Sequence, residues 1–266
     1  MLKDITIGQY IPGESIVHRL DPRTKILAVL FYMTGLFLLD RLETYVGVAI
    51  LTLVLILLSQ IPVSYLLKGL KPILIILVFT FVLHLFLTPG TEVLRIGPLK
   101  ITIEGIRQGV FMSLRLIFLI LVTSLLTLTT SPISLTDGLE SLMGPGKRIG
   151  LPAHELAMMM SIALRFIPTL LEETDKIMKA QMARGADFES GNLWQRAKNM
   201  VPLLVPLFVG AFRRADELAM AMEARCYRGS QGRTKMKQLV MALRDYVALL
   251  LMFGFMVLAI VYRVIT

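Results

Sequence analysis

The residues that come nearest to catalytic strings fall short of them. Gly144-Pro145-Gly146-Lys147-Arg148 ends like a phosphate loop, whose backbone amides cradle phosphates while a Lys and a Ser/Thr hold charge and Mg²⁺. Here Ser141 stands where the first Gly is required, and Arg148 replaces the Ser/Thr. His154-Glu155 opens a zinc-hydrolase string, but Met158 occupies the place of the second His. His18, His84 and His154 are scattered and give no metal-ligand spacing. No nucleophile–base pair is suggested by spacing. What remains is recognition by arginine. Asp175, Ile177, Ala180, Ala183, Arg184 and Gly185 recur, at identical offsets, as Asp216, Leu218, Ala221, Ala224, Arg225 and Cys226. Each copy ends in a small-Arg-small triplet. An Arg at a helix C-terminus meets free carbonyls and partial negative charge, so it can cap its own helix. A duplicated Arg also suits a partner with two equivalent acidic pockets, because its planar fork bonds carboxylates bidentately.

Methionine is the second signal. Met158, Met178, Met182, Met220 and Met222 recur along the same two segments, with alanines between them. A methionine stripe at helical spacing is ordinarily core. Methionine is also favoured on apolar surfaces that repack against several partners.

The elements that must carry these residues follow from hydropathy. Hydrophobic residues make up 55% of the chain, more than a soluble domain of this length carries. Apolar runs at 26–39, 45–58, 72–87, 110–129 and 247–265 predict about five membrane-spanning helices, the first two runs, both short, reading as two thin spans joined by a tight hairpin or, alternatively, as one span with an interfacial partner. Alternation around Gly97-Pro98 predicts a small hairpin outside the membrane. From Thr130 to about Arg244, charges of both signs at helical spacing predict long amphipathic helices at the membrane surface. Pro132, Pro145, Pro152, Pro168, Pro202 and Pro206 divide that region. Two long helices are expected, at 152–184 and 193–225, each about 45–50 Å long. The fold class is an all-α polytopic membrane protein. Its parts are residues 1–130 with about four spans, 131–244 with the amphipathic helices, and 245–266 with the last span.

Net charge is +9. No RNP-type or zinc-finger pattern accompanies it, so nucleic acid is not expected as a partner. The charge instead holds segments on the cytoplasmic side. Lys and Arg concentrate before the first span, between the second and third, and through 147–244. The N-terminus and the amphipathic region are therefore expected in the cytoplasm and the C-terminus outside. The single cysteine, Cys226, permits no internal disulfide. The first residues lack an apolar leader core, so the first hydrophobic helix is expected to act as the insertion signal. Arg115 and His84 come closest to mid-span, and neither has an evident intramembrane carboxylate partner, as an ion pathway requires. A stand-alone secondary transporter would also show inverted repeats among its spans. A membrane-embedded enzyme would need convergent His, Asp or Glu at span ends.

The string from Gly8 to Lys25, with Tyr10, Pro12, Gly13, Ser15, His18 and the run Leu20-Asp21-Pro22-Arg23, resembles the opening signature of energy-coupling factor transporter T components (the EcfT family). The triplets Ala183-Arg184-Gly185 and Ala224-Arg225-Cys226 resemble that family's paired motifs, with Cys226 where Gly is usual. The resemblance covers essentially the whole chain. It implies a non-catalytic coupling subunit of an ABC-type importer in the cell membrane. Such a subunit joins two cytosolic ATPases, which bind the ATP and Mg²⁺, to a membrane-embedded S component that binds a vitamin or metal ion. The T component itself is expected to need no cofactor. By carry-over the two triplets dock the ATPases, and Met158, Met178, Met182, Met220 and Met222 face the S component. Asp21-Pro22-Arg23 either caps and anchors the first span or takes part in coupling.

Overall fold

The computed structural model describes residues 10–96, 99–150, 152–188, 190, 192–229 and 238–265. Among them the chain forms α1 (Pro22–Leu38), α2 (Tyr45–Ser59), α3 (Val63–Leu70), α4 (Leu74–Leu87), β1 (Glu92–Ile96), β2 (Leu99–Thr102), α5 (Ile103–Thr129), α6 (Pro132–Met143), α7 (Ala153–Ala183), α8 (Leu193–Ala224) and α9 (Leu243–Ile265). The expected hairpin is present: β1 and β2 pair antiparallel, Leu94 opposite Ile101 and Ile96 opposite Leu99. The Gly97-Pro98 turn lies outside the described residues.

Among the described residues five helical stretches are long and apolar enough to cross a bilayer: Leu42–Ser59, Val63–Leu87, Ile103–Thr129, Ala153–Ala183 and Leu243–Ile265. Four of them contain expected runs. The fifth expected run, at 26–39, forms α1, whose 17 residues give about 26 Å of helix. Ala153–Ala183 qualifies with the lowest mean hydropathy of the five, 1.2.

The chain divides into two compact units, one holding α1 to α6 and α9, the other α7 and α8. In the first unit α5 packs against α1, α2, α3 and α4, and α1 packs chiefly on α9. Tyr32 and Leu36 are fully buried, in a cluster with Val48, Phe111, Val122 and Ala259. A Cβ on Gly35 would sit 2.6 Å from the Phe255 ring, so glycine lets α1 and α9 approach closely. Tyr32 stacks on Phe255, and its hydroxyl shares a 2.7 Å hydrogen bond with Thr52 of α2. Arg115 of α5 is not left without a carboxylate. It lies 3.6 Å from Asp40, just past the first apolar run, and donates to the Leu39 carbonyl and the Tyr45 hydroxyl. A buried cation thus finds acceptors where the apolar run breaks.

The same unit shows what Asp21-Pro22-Arg23 does. Asp21 caps α1, accepting the Arg23 backbone N–H at 2.9 Å, with Pro22 in the first turn. Arg23 returns two bonds to the Asp21 carboxylate and reaches the Leu239 carbonyl and the Ser141 hydroxyl. Asp245, 1% exposed, accepts the Asp21 N–H at 2.7 Å and the Ala242 N–H at 2.8 Å. Its second contact is half of a capping box at the start of α9. Lys25 donates to the His18 and Thr129 carbonyls and to Thr130. These residues tie the starts of α1 and α9 to the end of α5 and to α6.

Candidate docking site at two capped helix ends

The second unit is built from the repeat. Helices α7 and α8 occupy the two predicted segments, with 31 and 32 residues. Pro168, Pro202 and Pro206, expected as dividers, lie inside these helices. Neither helix breaks there; the remaining backbone hydrogen bonds and the facing helix carry it through. The contacts run antiparallel: the Tyr227 hydroxyl donates to the Met158 sulfur at 3.0 Å, and Arg214 pairs with Glu173 at 2.6 Å. Glu173 and Arg214 hold equivalent places in the repeat, since each stands eleven residues before its motif arginine. Two copies of one pattern therefore meet at matched positions carrying opposite charges. Arg184 and Arg225 each stand about 16 Å of helix beyond that ion pair, in opposite directions.

Both ends terminate alike. Gly185 N–H bonds to the Met182 carbonyl at 2.9 Å and Ala186 N–H to Gln181 at 3.0 Å; Cys226 N–H bonds to Glu223 at 2.8 Å and Tyr227 N–H to Met222 at 3.1 Å. This pair of bonds is the Schellman stop, which needs a left-handed residue just after the cap. Gly185 has φ +89° and Cys226 φ +55°. The small third residue of each triplet is therefore set by backbone geometry. The arginine sits at the cap itself, and the terminal carbonyls named above are satisfied by backbone N–H groups. Arg184 and Arg225 are exposed, and neither pairs with a carboxylate among the described residues.

The methionines separate into two groups. Met158 and Met222 line a groove between α7 and α8, and Met178 is half-buried. Met182 and Met220 point outward, 49% and 62% exposed. The larger apolar surface lies elsewhere: Val201, Leu204, Val205, Phe208, Val209 and Phe212 of α8 are all well exposed. Phe208 and Phe212, one turn apart and continuing the row of Val201, Leu204 and Val205, are the signal that attention to methionine passes over. Among the described residues no cluster of His, Cys, Asp or Glu has the makings of a metal site.

The cobalt transport protein family CbiQ matches the chain over residues 13–236. A Thermosediminibacter oceani protein named energy-coupling factor transporter transmembrane protein EcfT is 64% identical over 247 residues, 93% of each chain. The Heliobacterium modesticaldum protein of that name is 59% identical over 99% of each chain. The Bacillus subtilis one is 55% identical over 92% of this chain and 93% of its own.

Proposed function

The chain belongs to the CbiQ family as a transmembrane T component of an energy-coupling factor transporter, and on that premise we propose that Arg184 and Arg225 each dock one of two cytosolic ATPases. It is a multi-pass membrane protein and a non-catalytic member of its transporter. The reading rests on one observation. Two repeat-equivalent helices, joined at Glu173 and Arg214, hold exposed arginines at opposite ends that pair with no carboxylate among the described residues. Helix capping does not require the guanidinium groups, because backbone N–H groups already occupy carbonyls of both last turns. An exposed arginine held at a fixed helix end is instead preorganised for a carboxylate on another protein.

The ATPases bind ATP and Mg²⁺, and their closure moves α7 and α8. The exposed α8 face, with Met182 and Met220, meets the S component, which carries the vitamin or metal ion. The N-terminus, α7 and α8 lie on the cytoplasmic side, where Lys and Arg concentrate. The deciding experiment is a pull-down of both ATPases with Arg184→Ala/Arg225→Ala, alongside substrate uptake. Loss of a buried charge pair costs about 2–5 kcal/mol of association at each end. The double variant reaches the membrane folded but loses the ATPases and uptake. Each single variant loses less, because the other anchor keeps the effective concentration high. Wild-type pull-down and uptake in the double variant would return both arginines to the role of helix caps.

A further inference from the structure

The two docking ends are alike in backbone and unlike in charge. Three residues after the motif arginine the first copy carries Asp187 and the second carries Arg228. Asp187 is held by the Ser190 backbone N–H, at 3.1 Å, and by its hydroxyl, so the first end carries a fixed negative charge three residues after Arg184. At the second end Arg225 and Arg228 are joined by Arg165, which reaches over from α7 to line the same groove of about 580 Å³. All three arginines are exposed, and none pairs with a carboxylate among the described residues. No carboxylate lines the groove among the described residues, and Met158, Met222 and Tyr227 give it an apolar floor.

Three cations converging with no counter-charge among the described residues raise the local potential and attract an anionic partner. Accepting the docking role of the motif arginines, we propose that Arg165 and Arg228 form, with Arg225, a charge-selective site for an acidic segment of one particular ATPase, so that the two ends of the α7–α8 pair choose between two ATPases of unequal acidity. The apolar floor takes a nonpolar side chain between the acids, since methionine adapts to varied shapes. The Asp187 end favours the less acidic ATPase, because a carboxylate three residues after Arg184 repels a cluster of carboxylates. The choice is thus made by the residues around the shared arginine.

The test uses the full-length chain co-expressed with both ATPases under different tags and purified over a range of salt. Arg165→Gln/Arg228→Asp, which leaves Arg225 in place, weakens retention of one ATPase about tenfold or more at low salt and flattens its salt dependence. The other ATPase stays at the wild-type level. Asp187→Arg makes the first end resemble the second and increases capture of the more acidic ATPase. Unchanged retention of both ATPases in Arg165→Gln/Arg228→Asp overturns the proposal, and so does equal loss of both. Unchanged ATPases with weakened binding to phosphatidylglycerol vesicles also overturn it, in favour of a lipid site. If the Arg184→Ala/Arg225→Ala chain keeps both ATPases, the docking reading itself fails. If that variant loses them while Arg165→Gln/Arg228→Asp behaves as wild type, only charge selection fails.

Discussion

Asp245 offers the sharpest test of how the membrane unit is assembled. Its side chain is almost wholly buried, and its two oxygens accept the Asp21 N–H at 2.7 Å and the Ala242 N–H at 2.8 Å. A hydrogen bond to a charged group contributes about 1.5–3 kcal/mol, and a buried donor left unpaired costs a similar amount. Asp245→Ala removes both acceptors and strips a counter-charge from Lys25. The expected loss is about 3–5 kcal/mol, or about 6–20 °C in thermal midpoint for a chain of this size. Asp245→Asn keeps one good acceptor and turns an amide N–H toward the other donor, so it falls between Ala and wild type. Thermal midpoints of the detergent-purified protein give the order, and hydrogen exchange at the Asp21 amide locates the effect. If Asp245→Ala stays within about 2 °C of wild type and the Asp21 amide stays protected, the linkage between α1 and α9 is not what holds them. Tyr32, Gly35 and Phe255 would then carry that contact by packing alone.

The caps predict opposite effects from glycine on the two triplets. Cys226→Gly removes a left-handed strain of about 1–2 kcal/mol against about 0.4–1 kcal/mol of added unfolded-chain entropy, so it modestly stabilises the α8 end. Gly185→Val places a β-branched side chain at φ +89° and both destabilises α7 and weakens ATPase capture. Thermal midpoint and pull-down read the two variants together. Charge on the outward apolar face has a separate outcome. Phe208→Glu and Met220→Glu release the S component while the ATPases stay bound, because a carboxylate in a closed apolar contact is costly; co-purification yields for each partner check this. Topology is read by cysteine labelling of intact cells in a Cys226→Ser background. Thr91→Cys reacts with an impermeant reagent from outside, whereas Glu14→Cys and Trp194→Cys react only after the cells are opened.

The sequence displayed the helices well because each physical signal was local. The ends of α7 and α8 fell within one residue of the small-Arg-small triplets, since a Schellman stop needs a small or glycine residue at one fixed place. The hairpin was visible as alternation about Gly-Pro. Long-range pairing was less visible. Nothing near Arg115 in sequence names Asp40 or the Leu39 carbonyl, and nothing near Asp21 names Asp245. Both contacts exist because packing brings distant helix ends together. The internal prolines did not end the two expected helices: a proline removes one hydrogen bond and adds a clash, and a long helix with a neighbour can absorb both. The pairing of Glu173 with Arg214 was within reach of the repeat offset, but only the antiparallel packing makes equivalent positions meet.

Whether α7 crosses the bilayer turns on where its charges lie. Its length and hydropathy admit it as a candidate span. Yet from Arg165 to Lys179 it carries Arg165, Glu172, Glu173, Asp175, Lys176 and Lys179. Each ionised residue at the helix centre costs about 2.5–3.5 kcal/mol on insertion scales, and less toward the ends, so these six charges together oppose burial strongly before any pairing. Glu173 with Arg214 and Asp175 with Lys179 recover part of that, but the Asp175–Lys179 pair is largely exposed, and exposed pairs contribute only about 0–1 kcal/mol. The apolar residues that raise the mean hydropathy cluster instead at the start of the helix, around Met158, Ile162 and Phe166, where they meet α8. We propose on this ground that the hydropathy of α7 is the signature of a helix that packs against its repeat, with its charged half left in water and its arginine carried out to the end.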